Sequence, residues 1–87
     1  MDKTIHNSNY RSLIGLLRQK REEQGITQIQ LADRLDIDQA ALSKIETCER
    51  RLDIIELRSI CVALGISLID FIKEAESIFI AEPVKNV

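Results

Sequence analysis

The stretch Gln28 to Thr47, QIQLADRLDIDQAALSKIET, constrains this chain more than any other. Thr27 stands just before it as an N-cap, and Gln30 three residues on completes a capping box. Leu31, Ala32 and Leu35 then recur at helical spacing. The pattern breaks at Asp36-Ile37-Asp38, and Asp38 is a second N-cap ahead of another short run with Leu42 and Ile45 on one face. Two helices this short cannot stand alone. They need a tight turn between them, a small residue where they cross (Ala32), and other helices to cover their apolar sides.

The second short helix has two distinct faces. At about 100° per residue, Ala41, Leu42, Ile45 and Glu46 fall on one arc. Gln39, Ala40, Ser43, Lys44 and Thr47 fall on the other. The outer arc therefore carries an amide, a methyl, a hydroxyl, an ammonium and a second hydroxyl. These groups read base edges: a glutamine pairs with adenine, a lysine donates to guanine, and a methyl meets the thymine methyl. A polar outer face is also what any surface helix shows. The assignment gains its weight from the combination with the short turn and the small crossing residue.

The rest of the chain reads as support. Eighty-seven residues argue for one domain with one modest core. Leu and Ile dominate, Gly and Pro are rare, and Tyr10, Phe71 and Phe79 are the only aromatics. That composition favours an all-α fold. A first helix is expected from about Tyr10 to Gln24, closed by Gly25, with Leu13, Ile14, Leu17, Arg21 and Gln24 on its inner stripe. A guanidinium on a buried stripe needs a carboxylate, and Glu46 lies at the edge of the other buried arc. Arg21 and Glu46 are therefore expected to form a structural ion pair. A fourth helix should begin after Asp53, boxed by Glu56, with Ile55, Leu57, Ile60, Cys61 and Leu64 inward and Gly65 at its end. A fifth should follow Ser67 with Leu68, Phe71, Ile72 and Ala75. It has the option of extending to about Ala81 before Pro83 stops it.

This pattern resembles the helix-turn-helix domain of phage repressor/Cro type, the XRE family, over roughly Leu13 to Phe71. The resemblance is carried by LLRQKREEQGITQIQLADRLDIDQAALSKIE and by LRSICVALGISLIDFI. Thr27-Gln28, Leu31-Ala32, Leu42, Ile45, Glu46 and the Ala63–Ser67 step match family positions. The chain departs from the family at Asp36 and Cys48, where glycine is usual, and at Leu52, where proline is common. The resemblance implies a compact five-helix repressor-like bundle and sequence-specific binding of double-stranded DNA by a transcriptional regulator. The expected base-reading residues are Gln39, Ala40, Ser43 and Lys44. The expected phosphate contacts are Thr27, Gln28, Thr47, Arg50 and Arg51, with Gln28 carried over from a family position that touches the backbone. Arg18 and Lys20 are expected to be solvated.

Charge and composition bound the alternatives. The net charge of −2 is unusual for a DNA binder, but the distribution is uneven. Residues 1–25 carry five basic and three acidic side chains, residues 26–51 four and five, residues 52–87 three and six. The acidity thus lies mainly in the C-terminal third. Cys48 and Cys61 are too few for a disulfide framework or a zinc site, so no metal or other cofactor is expected. Cys61 reads as core and Cys48 as an exposed loop residue. His6 is alone in a polar tail, and no catalytic constellation is visible, so the chain is not read as an enzyme. No apolar run reaches membrane-spanning length and the N-terminus lacks a hydrophobic signal-peptide stretch, so the protein is expected in the cytoplasm. The expected organisation is a flexible tail over 1–9, the helical domain over 10–76 and a C-terminal tail over 77–87. Ile78, Phe79 and Ile80 either mediate a homodimer or fold back on their own domain. The alternative to DNA binding is a protein-interaction module of the same fold, such as an antitoxin or adaptor with a protein partner.

Overall fold

The computed structural model describes residues 7–81. These form five helices: α1 (Ser8–Glu23), α2 (Gln28–Leu35), α3 (Gln39–Glu46), α4 (Ile54–Leu64) and α5 (Leu68–Ile78). Each start has a local cause. Thr27 and Asp53 form full capping boxes with Gln30 and Glu56. The Asp38 and Ser67 side chains accept from Ala41 and Asp70 backbone N–H groups. Each such cap stabilises its helix by about 1 kcal/mol.

The first helix starts two residues before the expected Tyr10. The Asn7 carboxamide oxygen accepts from the N–H groups of Asn9 and Tyr10, so Ser8 and Asn9 belong to α1 and not to a tail. Residues 1–6, His6 among them, lie outside the described residues, as do 82–87 with Pro83. The last helix stops at Ile78 and does not extend to Ala81, because Phe79 turns extended (φ −69°, ψ 142°). Its ring lies against the core, and the Asn9 side chain clasps the next residue. Asn9 Nδ2 donates to the Ile80 carbonyl at 2.9 Å, and Asn9 Oδ1 accepts from Ile80 N–H at 3.0 Å. The backbone up to Ile80 therefore folds back on its own domain, while the Ile78 and Ile80 side chains remain exposed.

The core runs through all five helices. Ile14, Leu31, Leu42, Cys61 and Phe71 are its largest fully enclosed side chains. Cys61 fills it as expected, and burial pushes its thiol pKa up. α2 packs on α3 and α4, α1 on α3 and α5, and α4 on α5. Because α1 is covered from two sides, it buries a wider arc than one stripe, and Leu16 is enclosed as well as Ile14 and Leu17. Ile55 is a correction: it is 69% exposed. The inward row of α4 is Leu57, Ile60, Cys61 and Leu64, and a residue two places before Leu57 points away from it. Gln24 is not buried either. Its amide crosses to the Leu64 carbonyl at 2.7 Å, and Arg34 reaches the Ala63 carbonyl at 3.0 Å. α4 has no basic residue in its own last turn, so α1 and α2 supply the donors for its end.

Candidate nucleic-acid interface

The pitch of α3 is set from below and from behind. Leu42 and Ile45 are sunk in the core at 1% and 3% exposure. Ala32, at 2% exposure on α2, gives the close approach that the crossing needs. Behind them lies the pair that the sequence pointed to. Arg21 Nε donates to Glu46 Oε2 at 2.8 Å and Arg21 Nη2 to Glu46 Oε1 at 2.9 Å, a two-pronged contact of the strongest kind. Arg21 Nη1 also donates to the Ile26 carbonyl at 2.7 Å. The hydrogen bond to Glu46 raises the Arg21 pKa and outweighs the opposing effect of burial. Both side chains are almost wholly enclosed, so the pair ties α1 to the end of α3 and takes no part in contacts at the surface.

Gln39, Ala40 and Lys44 form the open side of α3, with Ser43 half-buried beside them. No described side chain forms an ion pair with Lys44. Gln39 is exposed and makes one long contact, 3.4 Å from its Nε2 to Gln28 Oε1. Asp38 is committed at 2.8 Å to the Ala41 N–H, so its carboxylate serves the helix start.

The five residues expected at phosphates fall into two groups. Thr27 and Gln28 sit at the N-terminus of α2, where free backbone N–H groups favour an anion. The Gln28 side chain, however, points inward: its Nε2 donates to Glu46 Oε1 at 2.9 Å. Thr47, Arg50 and Arg51 follow α3. The Thr47 hydroxyl is held by the Ser43 carbonyl and by the Glu49 carboxylate at 2.6 Å. Arg50 pairs with Glu56 at 2.5 Å. Arg51 is exposed. On the first helix, Arg18 pairs with Glu22 and Lys20 with Glu74; the Glu74 hydrogen bond raises the Lys20 pKa.

The loop after α3 differs from expectation. Cys48 is buried at 8% exposure and adopts φ +62°, the left-handed region that glycine prefers. Its side chain turns in because the chain reverses at that residue. The missing family glycine at 48 was the sequence signal for this conformation. The contacts among Gln28, Glu46 and Gln39 had a fainter signal: Gln28 and Gln39 are the first residues of consecutive helices.

A helix-turn-helix family model matches residues 17–71, which is most of the folded chain. This chain belongs to the XRE family of helix-turn-helix proteins. Members of the family are DNA-binding transcription regulators, and at that level of description this chain is one. Among solved structures, an XRE-family-like protein from Pseudomonas syringae pv. tomato is 43% identical, with a TM-score of 0.79 over 86% of this chain and 92% of that one. The clp gene regulator ClgR from Corynebacterium glutamicum is 30% identical, with a TM-score of 0.72 over 82% of this chain and 76% of that one. A wild-type restriction–modification controller protein is 27% identical, with a TM-score of 0.75 over 82% and 92%. No curated protein matches the sequence. Among the described residues no helix is long and apolar enough to cross a membrane, and no cluster of His, Cys, Asp or Glu could hold a metal ion.

Proposed function

We propose that this XRE-family protein is a sequence-specific regulator that binds double-stranded DNA as a homodimer, with α3 in the major groove. One observation carries the proposal: α3 turns Gln39, Ala40 and Lys44 to solvent while Leu42, Ile45 and Glu46 are locked beneath. Gln39 and Lys44 read base edges with Ala40 and Ser43 beside them. The N-terminus of α2 at Thr27 and Gln28 takes one phosphate, through backbone N–H groups more than through the Gln28 amide. Thr47, Arg50 and Arg51 take the other side, and Arg50 exchanges its bond to Glu56 for a phosphate. Two of the solved relatives are a gene regulator and a controller protein by name, which supports a regulatory role.

An apolar groove supports the dimer. Tyr10, Leu13, Leu52, Ile54, Leu57, Ile72 and Phe79 line it, together with Arg51 and Asp53. Ile54 in this groove is 58% exposed, and Ile78 and Ile80, which flank Phe79 in sequence, are 47% and 63% exposed. A second copy covering this face gives the two-fold symmetry that a palindromic site requires.

Selection from a random DNA pool tests the proposal. The expected result is an inverted repeat with half-sites about 10 base pairs apart. Lys44→Ala should weaken binding to that site by about 1–3 kcal/mol without altering the helical spectrum. Affinity should fall steeply with salt, because phosphate neutralisation releases counterions. Salt-insensitive association with a protein instead would favour an interaction module. Ile55 and Val62, exposed two turns apart on α4, are the surface that this second reading draws on.

A further inference from the structure

We infer that Glu46, which puts no atom on the DNA-facing side, determines the base preference of the recognition helix by fixing the polarity of two amides in series. The inference rests on the reading of α3 as the base-reading helix and adds a positioning residue to it.

The chain of bonds starts at a group that can only accept. An ionised carboxylate has no proton to give. Glu46 holds Arg21 with both oxygens, and its side chain is 4% exposed. Whatever Gln28 turns toward Glu46 Oε1 must therefore be its NH2 end, and the 2.9 Å contact is made from Nε2. The reverse orientation would set oxygen against oxygen in a nearly closed space. With its nitrogen turned in, Gln28 must turn its oxygen out. That oxygen faces Gln39, whose own NH2 end meets it at 3.4 Å.

Gln39 is thus left with one carbonyl oxygen and one remaining N–H, in a fixed order. Adenine presents a matching donor and acceptor at N6 and N7. Guanine presents two acceptors there, which suit an outward NH2 group. A Gln39 amide free to rotate would offer either face and accept either purine. One tethered through Gln28 to Glu46 offers only the adenine face. The tether is long and gives little affinity of its own. Its effect is on the sign of the amide.

Two variants separate positioning from support. Gln28→Met leaves the Arg21–Glu46 pair whole and removes the link. Arg21→Met combined with Glu46→Gln replaces the carboxylate by an amide able to face Gln28 either way, without stranding a buried cation. Each is put through pool selection beside the wild-type chain and Gln39→Ala, with circular dichroism to verify folding. Wild-type protein should prefer adenine to guanine, by about 5- to 150-fold, at a position whose preference Gln39→Ala abolishes. Gln28→Met should accept both purines there and keep its preferences elsewhere, and the double variant should do the same if it folds. An unchanged adenine preference in Gln28→Met overturns the inference. So does a uniform loss of affinity with no change of preference, which would mark Gln28 as a phosphate contact only. If the wild-type chain selects no site at all, the DNA-reading proposal itself falls, and this inference with it.

Discussion

Four of the five helices end in the same way, yet two of those ends lack the residue that makes the ending easy. After α1, α2, α3 and α4 a residue turns left-handed, and its N–H bonds the carbonyl three residues back. The next N–H bonds the carbonyl five back, completing a Schellman turn. Gly25 and Gly65 fill the left-handed position after α1 and α4. Asp36 and Cys48, at φ 56° and 62°, fill it on either side of α3. A residue with a Cβ pays about 1–2 kcal/mol for that conformation, less for aspartate. The scaffold helices close on relaxed turns, and α3, the proposed base-reading helix, is bracketed by strained ones. Hydrogen bonding is therefore not what distinguishes the two pairs. What differs is the demand on the side chain: Cys48 is inside the fold, whereas a glycine there would leave its place empty.

The comparison can be pressed in descending order of effect. If the ion pair rather than the turns holds α3, Glu46→Ala should cost about 3–5 kcal/mol in urea unfolding, since Arg21 is left buried without a carboxylate partner. A loss under about 1 kcal/mol would transfer that role to the turns. Gly65→Ala comes next, at about 1–2 kcal/mol. A Cβ there meets nothing within 4 Å, so the whole cost is conformational. Asp36→Gly should act in the opposite sense and raise stability by about 0.5 kcal/mol, relief of strain exceeding glycine's greater chain entropy. Cys48→Gly should be the smallest, within about 0.5 kcal/mol of neutral, because relief of strain is offset by the lost burial. A clear gain at 48 would mean that the thiol contributes nothing to packing.

Much of this architecture was legible in the residues. The boxes at Thr27 and Asp53 and the glycine stops at 25 and 65 are local signals, and local bonds answer them. Arg21 betrayed its partner by standing on an apolar stripe, and the outer face of α3 followed from helical periodicity alone. The misses depend on three-dimensional closure. Whether Cys48 points in or out depends on the direction of the loop, and Ile55 on the register of α4 against its neighbours. The Gln28–Glu46 contact spans 18 residues and needs the crossing of α2 and α3 to bring the groups together. The Asn9–Ile80 clasp spans 71, beyond the reach of any pattern along the chain. Of the candidate interface, periodicity supplied the helix and its face. The constraint on its first amide comes only from distances.

That clasp between Asn9 and Ile80 also makes the molecule its own ruler. Fluorophores placed near positions 8 and 81 would lie almost side by side in the native chain and separate widely once it opens. The transfer of energy between them would report any opening at this edge of the bundle, to be set beside the signal of the core.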